Sequence, residues 1–76
     1  MRNFVIVATW DDEAKVWVAE SDDVPGLATE AATQDELVAK LRVMIPELLA
    51  ANALTIPRSH EYVVRWEQET RLKMSA

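Results

Sequence analysis

Several features of this sequence carry the residue types that catalytic and metal sites use. Carboxylates cluster at Asp11-Asp12-Glu13 and at Asp22-Asp23. Paired carboxylates can hold a divalent cation or act as the acid and base of a hydrolase. A single histidine, His60, follows Ser59, and a histidine can serve as a general base. Trp10, Trp17 and Trp66 offer flat surfaces on which nucleobases can stack. Each feature also has a plainer structural reading. Asp is a preferred turn former, both acidic clusters flank strand-like runs, and no calcium-loop spacing is present, so both read as turns. His60 has no cysteine beside it to activate, and nothing in the sequence orients Ser59, so it reads as a loop or strand-edge residue. No basic groove accompanies the tryptophans, which read as core or interface. The single glycine, Gly26, cannot build a glycine-rich phosphate loop. The expectation is a chain with no catalytic residue, no metal and no cofactor.

Composition narrows the partners. At 76 residues the chain is one domain, and a domain this small buries only about 60% of the surface its unfolded form exposes. It has no cysteines to cross-link it, which fits a reducing cytoplasm. Self-association is the remaining common way to enlarge the core. The net charge of −5 argues against direct binding to nucleic acid, whose phosphates call for clustered Lys and Arg. It suits a basic protein partner, and it also suits a solvated surface that keeps a domain soluble. No signal-peptide pattern opens the sequence, and no run approaches the roughly 20 apolar residues of a membrane span.

The stretch from Asp22 to Leu37 organises the elements. Asp23-Val24-Pro25-Gly26 puts Gly after Pro, where the backbone most easily takes a positive φ and turns. Thr33, with Glu36 three residues on, is a capping-box pattern that opens a helix. Asn3 to Trp10, Val16 to Ser21 and Leu27 to Ala31 read as strands, the first two separated by a polar break of hairpin length. In the helix, Leu41, Met44, Ile45, Leu48 and Asn52 fall on the same side as Leu37 at about 100° per residue, with Val38 and Leu49 on the flank. Pro46 lies near the outward side. It either kinks one helix or starts a second. Glu61 to Thr70 alternates Tyr62, Val64 and Trp66 against a mostly charged set, as a strand near a sheet edge does. The pattern predicts an α+β fold, a two-layer βββαβ domain over residues 1–70 with one helix on a mostly antiparallel sheet. Residues 71–76 read as a frayed tail.

Neither face of the first two strands is polar, and one helix covers one face. The other would be an apolar patch, which predicts self-association, a dimer above all. Val5, Val7, Trp17, Ala19 and Val63 are the candidate oligomer or partner interface.

The run Trp17-Val18-Ala19, then Asp23-Val24-Pro25-Gly26, Glu30-Ala31 and Thr33-x-x-Glu36-Leu37 before a Leu-rich helix, resembles the HicB-like antitoxin superfamily. The resemblance covers residues 4 to about 52. It is strongest to short single-domain members that share Ala8-Thr9-Trp10-Asp11-Asp12-Glu13 and Val43-Met44-Ile45-Pro46-Glu47-Leu48-Leu49. It implies a partial ribonuclease H-like βββαβ fold without the nuclease's metal carboxylates. It also implies a self-associating, non-enzymatic protein that neutralises a small basic, mRNA-cleaving toxin by direct binding. In that reading Asp23, Val24, Pro25, Gly26, Thr33 and Glu36 are scaffold residues of the family motif. Many members add a C-terminal DNA-binding domain. The sequence departs there, because the stretch after Trp66 is too short for one, so no operator binding is expected. The alternative function is an orphan oligomeric domain with a structural or small-ligand role.

Overall fold

The computed structural model describes residues 2–53 and 60–75. Residues 54–59, with Ser59 among them, lie outside the described residues. The order is β1 (Arg2–Asp11), β2 (Val16–Glu20), β3 (Ala28–Ala31), α1 (Gln34–Ala51) and β4 (His60–Glu67). The fold is α+β, with one helix on a four-stranded mixed sheet ordered β3-β2-β1-β4. β1 and β2 pair antiparallel, as do β2 and β3, whereas β1 and β4 run parallel. β3, α1 and β4 therefore form a crossover from one sheet edge to the other.

The first hairpin sets every side-chain direction that follows. Asp11 Oδ1 accepts from the amides of Glu13 (3.0 Å) and Ala14 (3.2 Å), and the Lys15 amide bonds the Asp11 carbonyl at 2.8 Å with Lys15 at φ 58. The turn closes with Trp10 opposite Trp17 and Ala8 opposite Ala19. Because strand side chains alternate, Phe4, Ile6, Ala8, Trp17 and Ala19 all point to the helix, where they are buried. This corrects the interface expected from sequence. Trp17 and Ala19 belong to the core, Trp17 at 7% exposure, while Val5, Val7 and Val63 occupy the opposite, open face. A one-residue shift in the β1–β2 register would have put Trp17 and Ala19 on the face of Val5 and Val7.

The Thr33 hydroxyl accepts from the Glu36 amide at 3.1 Å and starts α1. The helix runs unbroken through Pro46 to Ala51. It buries Leu37, Leu41, Ile45 and Leu49, an i, i+4 stripe swung towards Leu49, which the periodicity had put on the flank. Met44 and Leu48 are half-buried against the core. Side-chain size tilts the packing. Ala19 and Ala31 are small and let α1 approach β2 and β3, the strands its backbone comes close to. Tyr62, Val64 and Trp66 hold it away from β4. A groove of about 390 Å³ remains between α1 and β4, with Val38, Leu41, Ile45 and Pro46 on one wall and Tyr62 and Val64 on the other.

The tryptophans pack on one another at one end of the core. Trp17 sits between Trp10 (ring centroids 5.2 Å) and Trp66 (5.1 Å). No helix among the described residues is long and apolar enough to cross a membrane.

Candidate functional site

The open face is the surface that the fold leaves uncovered by a second layer. Its floor is a strip of Val5, Val7, Val18 and Val63, with Thr9 continuing the β1 line. The register sets the rows across it. Glu20, Val7 and Arg65 lie side by side, and Glu30, Val18, Thr9 and Glu67 form the next row. Carboxylates from Asp11, Glu20, Glu30, Glu61 and Glu67 point to this face, against the guanidinium of Arg65, and Arg71 lines the groove at its end. The strip ends in a groove of about 860 Å³ where Thr9, Val18, Glu20 and Glu67 meet Asp11 and the chain after β4. Five of the chain's 13 carboxylates thus stand around one partly apolar face. Simple alternation in β2 and β4 carries the signal for Glu20 and Glu67 on this face.

The acidic clusters have identifiable local work. Asp11 holds the hairpin turn. Asp12 Oδ1 takes the Lys15 ammonium at 2.8 Å and the Trp10 indole N–H at 3.3 Å, and these bonds hold the Asp12 carboxyl below its ordinary range. Among the described residues no three His, Asp or Glu side chains converge as metal ligands do. His60 stacks edge-on against Tyr62 and Phe4, with centroids 5.1 and 6.0 Å away.

The motif residues meet at the other end of the sheet. β2 stops at Glu20, and two side chains continue its ladder to β1. The Val5 amide donates to Asp23 Oδ2 at 2.7 Å, and the Ser21 hydroxyl donates to the Val5 carbonyl at 2.6 Å. Ser21 Oγ in turn accepts the amides of Asp23 and Val24. Val24 is fully buried. The Leu27 amide bonds the Val24 carbonyl at 3.2 Å, with Gly26 at φ 82, the pattern of a type II turn with Pro25 leading. Asn52 at the end of α1 donates to the Pro25 carbonyl at 3.3 Å. Asp23, Val24, Pro25 and Gly26 therefore tie β1, β2 and α1 together, and Ser21's part, a bond across 16 residues, has no short-range signal in the sequence.

These features define a small α+β domain whose motif residues build the frame and whose distinctive surface is an acid-rimmed sheet face. Residues 3–76 match the family model described as a domain of unknown function, DUF1902, and the chain belongs to that family. The crystal structure of a hypothetical protein from the extremely thermophilic bacterium Thermus thermophilus is 55% identical and superposes with a TM-score of 0.77. The match covers 96% of this chain and 100% of that one. No curated protein matches the chain.

Proposed function

We propose that this protein is a non-enzymatic binding domain that takes a small basic protein on its open sheet face, in the manner of a HicB-like antitoxin. The observation that carries the reading is the placement of Asp11, Glu20, Glu30, Glu61 and Glu67 around the Val5, Val7, Val18 and Val63 strip. Carboxylates around an apolar floor suit a partner that brings Lys and Arg around an apolar centre, since complementary charge speeds encounter and selects the partner. The scaffold role of Asp23 and Gly26 supports the same reading, because the family motif then keeps the face rigid and leaves chemistry to the partner.

The test is co-purification of the tagged chain with the product of any small basic reading frame found beside its gene. A stable complex that weakens with salt, and at least tenfold on Glu20→Lys with Glu67→Lys, supports the proposal. Its antitoxin role is read by growth rescue when the basic protein is induced. A neighbourhood without such a frame, or a neighbour that does not bind, overturns it.

A further inference from the structure

The two edges of the sheet are protected to different degrees. β3 has four residues, and the Lys40 ammonium from α1 donates to the Glu30 carbonyl at 2.6 Å. A short strand with a lysine on its backbone resists pairing. β4 has eight residues, His60–Glu67, and stands at the end of the strand order. It contains no Pro, Lys or Gly. Tyr62 and Val63 in its middle are 39% and 40% exposed. A long edge of this kind is a template for another strand.

We propose that the strand it takes is β4 of a second copy of this chain, antiparallel across a two-fold axis at Val63, joining two sheets into one of eight strands. The charges on β4 select both occupant and register. Facing residues must point to the same side, so only registers centred on a residue are allowed. Centring on Val63 sets Glu61 opposite Arg65 of the second copy, twice, and Tyr62 opposite Val64. Centring on Val64 would set Glu61 against Glu67, and centring on Arg65 would set arginine against arginine. Like charges directly opposite destabilise a strand pair. The same pairing explains the groove beside β4. Tyr62 and Val64 of the second copy arrive at its open side, and the axis brings the two grooves together on the helix side of the joined sheet. The open face is the poorer place for a second copy, because it would set one ring of five carboxylates against another.

Sedimentation equilibrium on the intact protein tests this. The wild type should have the mass of a dimer at micromolar concentration. Glu61→Arg and Arg65→Glu should each weaken the dimer about tenfold or more, since each leaves two like-charged pairs across the axis. Both changes together restore opposite charges and should return the dimer. Circular dichroism checks the fold of each variant, and a variant that unfolds is replaced by Val63→Lys, which places two ammonium groups on the axis. A monomeric wild type, a dimer indifferent to the single changes, or a double variant as weak as the singles would each overturn the proposal. The measurement uses the isolated chain, so its result is independent of any basic partner.

Discussion

The Asp23 carboxylate accepts the Val5 amide at 2.7 Å across 18 residues of sequence. Ser21 donates to the carbonyl of the same residue at 2.6 Å. The two polar backbone atoms of Val5 are thus satisfied by side chains where β2 has already turned away. This clamp holds the Pro25-Gly26 turn against β1, and through Asn52 the turn holds the end of α1.

Removing the clamp should be costly for one side chain. Asp23→Ala leaves a part-buried N–H without its charged acceptor, and the loss is expected at about 1–3 kcal/mol. Asp23→Asn keeps an acceptor oxygen and should lose less than half of that. Ser21→Ala with Asp23→Ala should be non-additive, because the two share Val5 and each other. Urea unfolding midpoints at unchanged slope would check all three. Additive losses would show that the two side chains act separately.

Gly26 makes a different demand. Its φ of 82 lies where a Cβ is strained, yet an added Cβ would meet only Leu48 Cδ2 at an ordinary 3.5 Å. The penalty is therefore one of backbone conformation and not of space. Gly26→Ala should cost about 1–2 kcal/mol, and Gly26→Val more, since a β-branched residue is a poorer fit to positive φ. Binding of any partner should fall only in proportion to the folded fraction. Full stability in the valine variant would show that the turn does not need glycine.

Asp12 sets the pH behaviour of the hairpin. The Lys15 ammonium first, and the Trp10 indole second, hold its carboxyl below the ordinary value of 3.8. A carboxyl lowered in the folded state contributes stability that is complete above the unfolded pKa. That stability is lost as pH falls through the folded pKa. The loss therefore falls in acid below about pH 4, and it is small because the ion pair is fully exposed to solvent. Lys15→Met should move the Asp12 midpoint back up towards 3.8, as read by side-chain carboxyl NMR. An unmoved midpoint would show that Lys15 does not hold it.

Much of the frame was legible because its signals are local. Thr33 with Glu36, Pro25 with Gly26, and the polar break at Asp11 to Lys15 each act within a few residues. They marked the helix start, the turn and the first hairpin within one residue of their observed places. The unbroken passage of α1 through Pro46 was not legible. The proline's missing bond leaves the Arg42 carbonyl on an exposed residue, where water can satisfy it, and only the packed helix shows that this suffices.

The sequence by itself determined the elements, their order, the turn and cap residues, and a sheet with apolar residues on both sides. It did not determine which side the helix covers. β1 alternates apolar residues on both faces, so a period of two selects neither. Register decided it. Once Trp10 stands opposite Trp17, the bulky Phe4, Ile6 and Trp17 fill one side with Ala8 and Ala19, and α1 can close on them. Val5, Val7 and Val63 are left on the other side among carboxylates. The parallel pairing of β1 with β4 and the reach of Asp23 to Val5 are likewise tertiary, because both join residues that no short-range pattern links.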